Sequence, residues 1–197
     1  MSYKNPTIPT LTLKGLDKKI QEIQVLLAAG LSWLDKSFGL ADRIVELKDN
    51  TPYIYPATFE TNAIDPVPLM PSDTWGAYSF WTAGDSEFAF NIDFPPKNPV
   101  ITVPVSCIFY INVRGVDSTT NYKETKTKLR DDIFNFFNTV KVNRLVATTF
   151  IEDDITKIFA GFSIEQVENK FKMYPRWSCR MDFDLSYRDD CYVLNTY

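Results

Sequence analysis

The chain has 197 residues, 45% hydrophobic and 23% charged, a length and balance that suit one globular domain with its own core. Its net charge of −4 and pI near 4.9 argue against a dedicated nucleic-acid binder, whose affinity needs a cationic surface. It has no histidine, which removes Ser-His-Asp and Cys-His catalysis and the usual His-based zinc sites.

Residues 1–14 carry Pro6 and Pro9 without a hydrophobic period and read as an extended N-terminal arm. They hold no apolar core of a signal peptide, so synthesis in the cytoplasm is expected. The longest apolar run, Val25 to Leu34, is broken by Gly30 and Ser32 and is too short to span a bilayer. Residues 15–197 read as a single α+β domain.

Leu16, Ile20, Ile23, Leu27, Leu31 and Leu34 follow three-and-four spacing, which predicts a helix over 16–38 closed by Gly39. Arg43–Leu47 and Tyr53–Phe59 predict a hairpin (43–59) around the turn residues Lys48 to Thr51. Pro56 predicts that its second strand is an edge. Residues 60–76 hold Pro66, Pro68 and Pro71 and read as a long loop, a kind of segment that usually carries function. Extended segments follow at 77–82 and 87–94.

From Ile101 to Arg114 the residues alternate. Ile101, Val103, Val105, Cys107, Phe109, Ile111 and Val113 fall on one face, and Thr102, Ser106, Asn112 and Arg114 on the other. Asn121 to Glu124 resembles a capping box, and a helix is expected over 121–141 with Leu129, Ile133, Phe136, Phe137 and Val140 inward. A strand over 145–151, a short helix capped by Asp153, and a helix capped by Ser163 with Gln166 come next. Arg176–Arg188 alternates again, with Trp177, Cys179, Met181, Phe183, Leu185 and Tyr187 on one face. The expected fold is therefore α+β: a mixed sheet with two long strands flanked by two main helices, plus a hairpin and an N-terminal arm.

No residue set points to chemistry. Cys107, Cys179 and Cys191 are odd in number and form no C-x-x-C pair, so free thiols without a disulfide are expected. Asp182 and Asp184 share a strand face as hydrolase acid pairs do, but Arg180 and Arg188 share it too, which favours a solvated charge ladder. Glu152, Asp153 and Asp154 match no calcium loop. Lys123, Lys126, Lys128 and Arg130 are diluted by Glu124, Asp131 and Asp132 and read as a solvated helix face. No phosphate-binding or nucleophile-elbow motif is present. The expectation is no catalytic residue, no cofactor, no metal and no small-molecule substrate.

The stretch Ser32-Trp33-Leu34-Asp35-Lys36-Ser37-Phe38-Gly39 is followed by Tyr55-Pro56-Ala57-Thr58-Phe59, then Leu69-Met70-Pro71-Ser72-Asp73 and Tyr78-Ser79-Phe80-Trp81. With Met173-Tyr174-Pro175-Arg176 before the last strand, this series resembles proteins of gut-type (crAss-like) tailed phages and prophages. The element order resembles tail-terminator and head–tail joining proteins, in which helices pack on a mixed sheet and subunits close into a ring. The resemblance spans most of 16–188. It implies a virion ring protein at the neck or tail end, made in the host cytoplasm, that meets other neck or tail proteins while DNA passes without specific binding. It carries over no catalytic residue.

Tyr53, Tyr55, Phe59, Val67, Leu69, Met70 and Trp75 lie in Pro-rich segments outside the two long strands and two main helices. They are expected to be surplus to the core, and so to form the interface of a closed homo-oligomeric ring together with the arm 1–14. Two other classes are weighed against this: a small carboxylate-dependent hydrolase and a monomeric binding module.

Overall fold

The computed structural model describes residues 15–59, 65–84, 89–91, 100–139 and 145–188. The class is α+β. Helix α1 (Gly15–Gly30) is followed by strands β1 (Lys36–Leu40), β2 (Asp42–Lys48), β3 (Thr51–Thr58), β4 (Val67–Pro68), β5 (Ala77–Ala83), β6 (Ala89–Asn91) and β7 (Val100–Asn112). The short α2 (Val113–Val116), the long α3 (Tyr122–Thr139), β8 (Leu145–Glu152), the short α4 (Ile155–Ile158) and β9 (Arg176–Arg188) complete the order. The arm 1–14, most of the extended segment 87–94, and Cys191 lie outside the described residues.

The large sheet runs β1-β5-β7-β9-β8, with β6 paired to β7 beyond the end of β5. β1 is parallel to β5 and every other pairing is antiparallel, so the sheet is mixed. The two long strands are central neighbours, in register from Val100 opposite Arg188 to Asn112 opposite Arg176. Pro104 sits inside β7 although proline cannot donate to a ladder. Its carbonyl accepts from Gly84 N at 3.3 Å where β5 has just ended, so the missing donor falls in the gap between β5 and β6.

One face of the sheet is covered by the two long helices, as the periodicities predict. Ile20, Ile23 and Leu27 of α1 and Leu129, Ile133 and Phe136 of α3 pack with Val105, Phe109, Met181 and Phe183. Each such side chain contributes about 1.5–3 kcal/mol by leaving water. Cys107 and Cys179 lie in this core as free thiols.

The opposite face is not simply solvated. Ile108 and Tyr110 of β7 and Tyr78 and Phe80 of β5 are buried in a second core with Phe38, Tyr55, Leu69, Met70, Ile158 and Phe159. The small sheet β2-β3-β4, α4 and the turns near residue 164 supply the cover. Two buried tyrosines fasten these wraps: Tyr78 donates to the Leu69 carbonyl at 3.2 Å and Tyr110 to the Phe171 carbonyl at 2.8 Å.

Three sequence expectations need correction. The helix expected over 16–38 ends at Gly30, and residues 36–40 form β1. Leu31 and Leu34 keep to the helical stripe only because the turn they occupy folds back on the first core, while Phe38 faces the second. A Cβ at Gly30 would sit 2.8 Å from the Phe136 ring, so α1 approaches α3 closely there. β3 is not an edge: it lies between β2 and β4, and the Pro56 carbonyl still accepts from Leu69 N at 2.7 Å. The helix expected after Ser163 is reduced to 3₁₀ turns at Ile164–Gln166 and Asn169–Lys172. Ser163 is used elsewhere: its Oγ accepts from Ile54 N at 2.9 Å and its own N–H donates to the Ile54 carbonyl at 2.8 Å, locking this segment to β3.

Candidate interaction surface

The hairpin β2–β3 turns through Asp49 and Asn50, whose φ angles of 51° and 61° are the left-handed pair that a tight two-residue hairpin turn requires. The register pairs Arg43 with Pro56, Val45 with Ile54 and Leu47 with Pro52, so these side chains share one face. Asp42, Ile44, Glu46 and Lys48 share the other with Tyr53, Tyr55 and Ala57. The second face meets the core. There Tyr55 donates its hydroxyl to Glu46, and burial first, then that bond, push the phenol up to about 12. The first face looks outward, leaving Val45 60% and Leu47 75% exposed.

The structure divides the expected interface residues. Tyr55, Leu69 and Met70 are buried and belong to the second core, so they are not surplus. The Pro-rich stretch that carries Leu69 and Met70 wraps the far side of the sheet. Trp75 is half-buried, with its ring centroid 4.9 Å from Phe38 and 5.4 Å from Tyr78. Tyr53 and Val67 are half-buried, and Tyr53 packs 5.2 Å from Tyr55. Of the seven, Phe59 alone is exposed, at 37%. The outward apolar residues of the hairpin are instead Val45 and Leu47. Their alternation with Glu46 and Lys48 was the signal for them, masked by the more conspicuous tyrosines of β3.

Three other surfaces carry apolar groups. β8 is the edge strand next to β9, and from Leu145 to Ile151 it holds no charge, proline or glycine. Val146 on it is 59% exposed. Met173 and Tyr174 are both 64% exposed; Arg114 Nε donates to the Tyr174 hydroxyl at 3.1 Å, and the Tyr122 ring lies 5.0 Å away. On α1, Val25 and Leu26 are 47% and 40% exposed. Leu26 borders a shallow cleft of about 580 Å³ between the end of α1 and α3, where Trp33 Nε1 donates to Asp132 at 3.2 Å.

Several of the groups weighed for chemistry are engaged in holding the fold. Asp182 accepts from Ser106 Oγ at 2.7 Å and from Arg180 Nε at 2.6 Å. Asp184 is exposed. Glu152 and Asp153 face Lys126, Glu152 also faces Arg130 at 3.4 Å, and Asp154 caps α4 by accepting from Lys157 N. Asp153, expected as that cap, instead takes a left-handed φ of 64° one residue earlier. Burial pushes the Cys107 and Cys179 thiols well above their usual range, which disfavours the reactive thiolate. Among the described residues no three His, Cys, Asp or Glu side chains cluster to hold a metal ion. Among them, too, no helix is long and apolar enough to cross a membrane.

Comparison with protein-family models, with curated proteins and with solved structures finds no match.

Proposed function

We propose that this chain is a non-enzymatic structural subunit that assembles into a homo-oligomeric ring, of the kind found at the neck or tail end of a tailed phage. The observation that carries the reading is the distribution of exposed apolar side chains. They lie on two strand edges of different sheets (Val45 and Leu47 on β2, Val146 on β8), on α1 and at the Met173–Tyr174 turn. A monomeric binding module gathers such groups in one concavity. A subunit that meets copies on more than one side spreads them, and unlike patches that fit each other close into a ring when the rotation allows. The charge-free β8 edge fits this reading, because an uncovered edge of that kind invites strand addition unless a neighbour occupies it.

The phage setting rests on the resemblance of the quoted segments. The Thr102, Pro104, Asp182, Asp184 and Ser186 side of β7 and β9 is polar, and Arg180 and Arg188 share it with the two aspartates, so its charges balance. A near-neutral wall suits DNA that slides past, because it offers no surplus of cations to grip the phosphates. Val146→Lys tests the assembly. It should leave the folded monomer intact and abolish higher-mass species in mass photometry. Assembly identical to that of the parent chain would remove β8 from the account.

A further inference from the structure

β2 is an edge strand whose outer side meets no other strand among the described residues. Its charges are arranged in an unusual way. Asp42 stands at one end and Lys48 at the other, with Val45 at the centre. Among the described residues Lys48 has no carboxylate partner; its Nζ lies 5.7 Å from the Tyr53 ring. Asp42 has no cationic partner there either, and it lies close enough to Asp17 that its charge, after partial burial, helps raise the Asp17 carboxyl above its usual range. An acidic pair at one end of an exposed strand and an unpaired lysine at the other make the strand complementary to a reversed copy of itself.

We propose that β2 pairs antiparallel with β2 of a second copy about a two-fold axis through Val45, joining the two hairpins into one continuous sheet. Symmetry and charge together select the register. A two-fold axis relating antiparallel strands stands perpendicular to their sheet, so it keeps every side chain on its own face and must pass through a residue position. Centred on Ile44, it would set Asp42 against Glu46. Centred on Glu46, it would set that carboxylate against itself. Centred on Leu47, it would set Lys48 against Glu46 but leave Asp42 and Arg43 with no β2 residue opposite them. Centred on Val45, it sets Asp42 against Lys48 twice, Ile44 against Glu46, Arg43 against Leu47, and Val45 against Val45. No like charges then stand opposite, and each Lys48 reaches the Asp42–Asp17 pair of the other copy. The outward faces merge Val45 and Leu47 from both chains into one apolar strip, covering two of the most exposed large apolar side chains. Cross-strand ion pairs and apolar pairs of this sort are worth roughly 0.2–1 kcal/mol each, added to the backbone ladder.

This contact is independent of the head-to-tail contacts that close a ring. A ring whose subunits also pair through β2 meets a second ring face to face and doubles its mass. The test uses the full chain carrying Cys191→Ser. Val45→Cys, on the axis, should form a disulfide-linked dimer on mild oxidation, while Leu47→Cys, facing Arg43, should lag well behind. Lys48→Asp should weaken self-association by roughly tenfold, since two attractive pairs become repulsive, and Asp42→Lys with Lys48→Asp should regain it. A Val45 cross-link that maps to any other segment, or single and double charge variants that behave alike, would overturn the pairing. Loss of the two-fold dimer with a ring retained counts against β2 pairing alone. Loss of the ring with the dimer retained counts against ring closure alone.

Discussion

Gln24 and Ser37 are tied to each other twice: Gln24 Nε2 donates to the Ser37 carbonyl, and Ser37 Oγ donates to the Gln24 carbonyl at 3.2 Å. Both residues are fully buried, and Ser79 Oγ lies 3.5 Å from Ser37 Oγ, carrying the polar link into β5. A Cβ at Gly39 would sit 3.0 Å from Gln24 Oε1, so the strand comes this near because Gly39 has no side chain. The knot clips α1 to β1, the parallel edge of the large sheet.

Gln24→Met keeps the length of the side chain and removes its donor, leaving the Ser37 carbonyl without that partner. The expected loss is about 1–3 kcal/mol of stability, the cost of stranding a buried polar group. Urea denaturation measures it, and an unchanged midpoint with an unchanged slope would show that the knot holds nothing.

Gly30→Ala pits two effects against each other. Alanine is the better helix former by about 1 kcal/mol. Its methyl, however, would stand 2.8 Å from the Phe136 ring, which is itself buried. Overpacking of this kind costs about 1–3 kcal/mol, so a net destabilisation is expected. Thermal melts read the sign, and a raised melting temperature would mean that α1 and α3 separate freely at this point.

Acid should unfold the chain partly through its caps. Hydrogen bonds from Thr156 and Lys157 lower the Asp154 carboxyl from 3.8 to about 2, and bonds from Thr120 and Thr119 lower Asp117 further still. A carboxyl depressed in the folded state contributes stability that is complete above its unfolded value and is lost as pH falls through the folded one. The melting temperature should therefore show no contribution from Asp154 to its pH dependence between pH 7 and 5, and should begin to lose one below about pH 4. Asp154→Ala should differ most from the parent chain near neutrality, with the gap closing toward about pH 2. A gap that widens on acidification would reverse the assignment.

The long strands were legible because period-two alternation has one common cause, a strand with a buried face. β7 and β9 appear with nearly the bounds that Ile101–Arg114 and Arg176–Arg188 announce. β1 was hidden because Leu31 and Leu34 prolong the stripe of α1, so the pattern alone runs past Gly30. The second core was hidden for a different reason. Ile108 and Tyr110 interrupt the polar face of β7 between Ser106 and Asn112, and their burial depends on which distant segment covers them.

The interface residues were partly misplaced by the same effect. Leu69 and Met70 sit among prolines, which excludes a central strand but not a wrap across the far side of a sheet. Tyr55 has a polar tip that Glu46 satisfies, so it is buried without cost to its hydroxyl. Val45 and Leu47, by contrast, were visible as apolar residues in β2, but nothing local says which face of a hairpin turns outward.

The most direct test of ring assembly is the mass of the purified 197-residue chain, read by mass photometry and light scattering across a range of concentrations and paired with negative-stain images. The account predicts a discrete closed species at a fixed multiple of the subunit mass of 22.7 kDa, seen as rings. A monomer at every concentration, with no ring in the images, would contradict it.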